Sequence, residues 1–160
     1  MHSVLFVCTA NMCRSTMAEV LFGEIVRNEG EAEDWWIDSA GVSAFDGEHA
    51  TNNTRIVAAE RGLDLTSHRS KLTSRAVVEP FSLVLVMEER HRGMLREAYP
   101  ELSERVFLLK EMIGEKDDVH DPIGTEIANY RAMADEVNIA LTEGFNRIRE
   151  LAVDEDEKNS

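Results

Sequence analysis

At 160 residues and 18.0 kDa the chain has the size of one domain, and its 43% hydrophobic content suffices for a sizeable core. A formal net charge of -14 and a pI near 4.7 oppose unspecific binding to nucleic acid or anionic membranes, so an anionic substrate must be met by a local cationic site. No stretch approaches the roughly 18 consecutive apolar residues of a membrane span, no basic segment precedes the short run at residues 4–7, and two cysteines cannot build a disulfide framework. These features predict a cytoplasmic protein with free thiols.

In chain order, residues 4–7 (VLFV) form a continuous apolar run of strand length, and residues 81–87 (FSLVLVM) form a second, both suited to strands buried on two faces. Residues 36–39 and 106–109 are weaker strand candidates. Amphipathic segments at 16–27, 51–61 and 89–99 lie between them as helices. After Pro122, apolar residues at steps of three or four from Ile127 to Leu151 predict one long helix, weakened locally at Gly144. The alternation reads as an α/β domain: three α/β/α layers around a mostly parallel four-stranded sheet. Residues 1–153 form the domain, and residues 154–160 (DEDEKNS) an acidic, solvated tail.

The first strand runs into CTANMCRST and then a helix. Cys8 therefore falls at a strand's C-terminal end, where open α/β sheets bind ligands, and Ser15 and Thr16 fall where the helix begins. Loop amides and the first helical turn can surround an anion there, and the helix dipole favours negative charge. The same amides and the Arg14 guanidinium favour thiolate over thiol, which makes Cys8 a candidate nucleophile. Arg14 offers a planar fork for two phosphate oxygens, and Ser15 can donate a hydrogen bond to the sulfur. His2, His49, His68, His91 and His120 show no metal-ligand spacing, and no metal or other cofactor is expected.

The string C-x-x-N-x-C-R-S resembles the active-site loop of the low-molecular-weight protein tyrosine phosphatase family, usually C-x-G-N-x-C-R-S-P. DSAG at 38–41, GLDLTSHRS at 62–70, SLVLVMEERH at 82–91 and DP at 121–122 follow in the expected order. The resemblance implies a metal-independent phosphatase working through a phosphocysteine. It implies Cys8 as nucleophile, Arg14 as phosphate clamp and Asp121 as general acid, with Thr9, Ala10, Asn11, Met12, Cys13 and Ser15 completing the phosphate loop. Residue type alone leaves Asp117 and Asp118 as equal candidates for the acid, and only the family's Asp-Pro pairing selects Asp121. Asn11, Ser15, Ser39 and His68 are implied to hold the loop open, and Cys13 to be able to pair reversibly with Cys8.

The sequence also departs from that pattern. Ala10 stands where glycine is usual and Thr16 where proline is usual. DPIG at 121–124 lacks the aromatic pair of many tyrosine-specific members and resembles bacterial members that dephosphorylate arginine. Those members carry a small threonine where this chain has Met12. Met12, Phe45 and Ile123 are the expected substrate cleft; Met12 and Phe45 favour phosphotyrosine, with phosphoarginine as the alternative. Arsenate reduction with an external thiol and a non-catalytic phosphopeptide-binding module are weaker alternatives. The expected partners are phosphorylated proteins or peptides, without nucleic acid or membrane, and a monomer is favoured.

Overall fold

The computed structural model describes residues 1–154. Except for Asp154, the acidic tail expected from the sequence lies outside the described residues. Strand β1 (His2–Cys8) leads to helix α1 (Arg14–Asn28), β2 (Trp35–Gly41) and α2 (Asn52–Glu60). A single turn, α3 (Arg75–Val78), precedes β3 (Leu83–Val86) and α4 (Glu89–Ala98). Then come β4 (Val106–Leu108), α5 (Ile127–Glu143) and α6 (Phe145–Leu151).

The four strands pair in the order β2-β1-β3-β4, and every pairing is parallel. Strand residues alternate between faces, so the apolar run of β1 supplies two cores. Val4 and Phe6 join Leu83 and Leu85 in a core closed by α1, α2, α5 and α6. Leu5 and Val7 join Val84 and Val86 against α3 and α4. A run that is apolar at every position is what a strand covered on both faces requires. From β1 the chain moves outward to β2 on one side, and it later adds β3 and β4 on the other. The gap between the C-terminal ends of β1 and β3 is therefore the topological switch point of the sheet, where such folds bind ligands.

The ordered strand at 81–87 is shorter than the apolar run, because Phe81 packs in the second core ahead of the ladder and Met87 follows it. The long C-terminal helix is broken at Gly144 into α5 and α6. A Cβ at Gly144 would lie 2.5 Å from the Ala140 carbonyl oxygen and 2.7 Å from the Met112 Cβ, so close packing on Met112 excludes a side chain there. Alanine is normally the better helix former by about 1 kcal/mol. Here Gly144→Ala is expected to destabilise the protein by about 1–3 kcal/mol, the usual cost of overpacking. Urea unfolding checks this, and a stabilised variant would show that the break at Gly144 is not set by packing.

Candidate active site

Cys8 ends β1, and residues 9–13 curl over it before α1 begins at Arg14. Asn11 is the hub of this turn. It is fully buried, and it is the one non-glycine among the described residues with a positive φ, 58°. Asparagine tolerates that left-handed conformation better than most residues. Its Nδ2 donates to Ser15 Oγ and Ser39 Oγ, both at 2.9 Å, and its Oδ1 accepts from the Lys71 amide at 3.0 Å. Its carbonyl accepts from His68 Nε2 at 2.7 Å. Burial holds the His68 pKa below its ordinary value, so the ring serves as a neutral Nε2–H donor.

The hydroxyls are ordered by this inventory. Ser39 accepts from Asn11 and donates to Glu19 Oε1 at 2.6 Å; burial raises the pKa of that carboxyl. Ser15 accepts from Asn11, which leaves its own proton for Cys8 Sγ at 3.0 Å. The loop thus keeps one hydroxyl aimed at the sulfur. Gly41 lets the β2 end approach the loop from behind, since a Cβ there would lie 2.6 Å from the Thr9 carbonyl oxygen and 2.8 Å from the Asn11 nitrogen. Ala10, unlike Asn11 beside it, does not have a positive φ, so glycine is not needed there for conformation. Thr16 is fully buried, and its hydroxyl has no hydrogen-bond partner among the described residues.

Arg14 is 1% exposed. Its Nη1 donates to Glu88 Oε2 at 2.7 Å and to the Val119 carbonyl at 2.8 Å. Its Nη2 lies 3.4 Å from Thr9 Oγ1 and 3.6 Å from Asp121 Oδ2. The guanidinium is therefore held edge-on beneath the loop, with its second nitrogen toward the opening. Val119 works at both ends: its amide donates to the Met87 carbonyl, tying the Asp121 segment to the end of β3. Asp121 Oδ1 accepts from the Ile123 amide at 3.1 Å, which fixes the carboxylate and leaves Oδ2 beside Arg14. Asp118 is occupied elsewhere, accepting from the Glu89 amide at the start of α4.

A cavity of about 220 Å³ is lined by Cys8, Thr9, Ala10, Met12, Cys13, Arg14, Asp121 and Ile123. It gathers the thiol, the cation and the carboxylate expected from the sequence. Phe45 does not line it. The residue is 81% exposed, on a loop whose Phe45 carbonyl is held by the Ser70 hydroxyl, and this corrects its expected place in the cleft. Burial pushes the Cys13 thiol up to about 12, so it stays protonated at neutral pH.

Glu88, His91, Glu19 and Lys71 were not singled out by the sequence. Glu88 and His91 form a reciprocal cap at the start of α4, and Nδ1 of His91 accepts from the Glu88 amide at 3.1 Å. Its other nitrogen must then be protonated, and it donates to Thr9 Oγ1 at 2.9 Å. The capping pattern around residue 88 was the available signal. Burial and then the nearby Arg14 charge lower the His91 pKa to about 4. The unfolded chain binds a proton near the ordinary 6.5 that the fold refuses, so His91 stabilises the fold above pH 6.5 and this contribution is lost as pH falls towards 4. Ring NMR should show His91 neutral down to about pH 4; titration at its ordinary value would contradict this burial.

The sequence profile of the low molecular weight phosphotyrosine protein phosphatases matches residues 3–154. The chain is 34% identical over 141 residues to a protein-arginine-phosphatase of Geobacillus stearothermophilus, covering 88% of this chain and 91% of that one. It is 36% identical over 107 residues to the low molecular weight protein-tyrosine-phosphatase Wzb of Escherichia coli, covering 67% and 69%. A solved arginine phosphatase, a cysteine-to-serine mutant with phosphorylated active site serine, superposes with a TM-score of 0.87 at 33% identity, covering 91% of this chain and 95% of that one.

Proposed function

The chain belongs to the low molecular weight phosphotyrosine protein phosphatase family, and from that membership we propose how its residues act: it hydrolyses phosphotyrosine in proteins through a phosphocysteine on Cys8, without a metal. The observation that carries this reading is the convergence of Cys8, Arg14 and Asp121 on one cavity.

The phosphoryl group seats on the loop amides, with the Arg14 guanidinium taking two of its oxygens. Cys8 Sγ attacks phosphorus in line, and the P–O bond to the tyrosyl oxygen breaks as Asp121 gives that oxygen a proton. In the second step the Asp121 carboxylate takes a proton from water, the water oxygen attacks phosphorus, and the P–S bond breaks. Ser15 eases that departure, because its hydroxyl is already aimed at the sulfur on which negative charge develops. Arg14 can follow the oxygens into the trigonal-bipyramidal geometry because Glu88 and Val119 hold its other nitrogen still. The loop amides and the guanidinium together supply the charge stabilisation that a metal provides in other phosphatases, while the thiolate supplies the nucleophile.

Met12 in the cavity wall supports phosphotyrosine, since a flexible thioether packs well against a ring. Phosphoarginine is the second reading. Ile123 in the wall, in place of an aromatic residue, and the match to the Geobacillus enzyme favour it. Among the described residues no helix is long and apolar enough to cross a membrane. The two free thiols support action on phosphorylated proteins in the reducing cytoplasm.

Cys8→Ser is expected to abolish turnover while retaining vanadate binding. Asp121→Asn should slow hydrolysis of a phosphoester with a poor leaving group by roughly 100- to 10,000-fold. Steady-state phosphate release on matched phosphotyrosine and phosphoarginine peptides checks both variants and the substrate. A wild-type rate in Asp121→Asn, with Asp118→Asn inactive, would contradict the assignment of Asp121 and make Asp118 the acid.

A further inference from the structure

Arg90 stands just outside the cavity and has no role in the mechanism above. Its side chain is 52% exposed, yet one end is fixed: Nη2 donates to Thr9 Oγ1 at 2.7 Å, and Nη1 lies 4.0 Å from Met94 Sδ. Thr9 lines the cavity, and its hydroxyl also meets Arg14 Nη2 at 3.4 Å. Two guanidinium groups thus share one hydroxyl at the lip of the anion site.

The carboxylates around Arg90 are already engaged. Glu88 Oε2 is 3.8 Å away and is held by Arg14 at 2.7 Å. Glu89 pairs with Arg92, Asp118 accepts the Glu89 amide, and Asp121 lies beside Arg14. Several arginines lack a carboxylate within 3.4 Å among the described residues, but Arg90 is the one whose guanidinium meets the cavity-lining Thr9 from outside. At the mouth of a site built for anions, in a chain of net charge -14, the Arg90 side chain is half exposed, with Nη2 also 3.4 Å from His91 Nε2.

We infer that Arg90 is a specificity-determining residue that binds a carboxylate of the substrate flanking the phosphorylated side chain. Its position separates this from phosphate binding. Arg90 does not line the cavity, and Thr9 lies between it and the bottom of the pocket, so its free donors reach the part of the substrate that stays outside. A planar fork anchored at one nitrogen can offer the opposite edge to a carboxylate with little further loss of freedom. The global negative charge repels acidic peptides at long range, so Arg90 supplies the local exception that decides which of them are accepted.

The inference rests on the phosphatase reading. Its test uses two pairs of phosphotyrosine peptides, with Glu or Gln on the N-terminal side of the phosphoresidue in one pair and on the C-terminal side in the other. A small aryl phosphate without flanking residues serves as reference. For one pair, the Glu-to-Gln ratio of kcat/KM should be roughly threefold to fivefold higher in the wild type than in Arg90→Gln, as expected of an exposed ion pair. Arg90→Lys should keep most of that difference, and added salt should shrink it. Equal ratios in wild type and Arg90→Gln for both pairs would overturn the inference. So would an equal loss on the aryl phosphate and the peptides, which would assign Arg90 to the phosphoryl group or to holding Thr9. Absence of any Cys8-dependent turnover in the wild type would instead overturn the phosphatase reading, and this inference with it.

Discussion

The structure turns on the burial of one positive charge. Arg14 sits at the first position of α1 and is almost wholly removed from solvent. A guanidinium in that position is strongly unfavourable unless it is paired and hydrogen-bonded. Its partners come from separate parts of the chain: Glu88 follows β3, the Val119 carbonyl belongs to the segment that carries Asp121, and Thr9 belongs to the loop after β1. Satisfying one cation therefore brings the switch point together. The outward nitrogen is left for an anion because the inward one is already used.

A second, neutral network holds the loop around the sulfur. Asn11 spends both amide protons on Ser15 and Ser39 and its carbonyl oxygens on Lys71 and His68. Each bond is modest alone, but together they hold Asn11 at a positive φ and point the Ser15 proton at Cys8. Gly41 closes the back of the loop, where backbone meets backbone with no room for a side chain. The neutral network reaches Cys8 through Ser15, and the ionic network reaches Thr9 through Arg14.

Much of this was legible in the sequence because it depends on local pattern. An apolar run without alternation implies a strand covered on both faces, and β1 and β3 meet that description. The string from Cys8 to Ser15 carried the loop. Long-range contacts were not legible in the same way. Nothing around Glu88 marks it as the partner of a residue 74 positions away, and charge type alone could not separate Asp121 from Asp118 until the fold committed Asp118 to the Glu89 amide. The break at Gly144 follows from contact with Met112, and the exposure of Phe45 follows from how its loop is tied to Ser70. Periodicity carries no record of either.

Arg14, Asp121 and Ser15 matter to the account only if Cys8 becomes covalently phosphorylated. The most direct measurement is therefore rapid acid quench of the wild-type enzyme during turnover of an aryl phosphate, followed by peptide mass spectrometry. The account predicts one phosphoryl group, located on Cys8 and absent when inorganic vanadate occupies the site. Burst-free turnover with Cys8 unmodified, or a phosphoryl group on another residue, would contradict it.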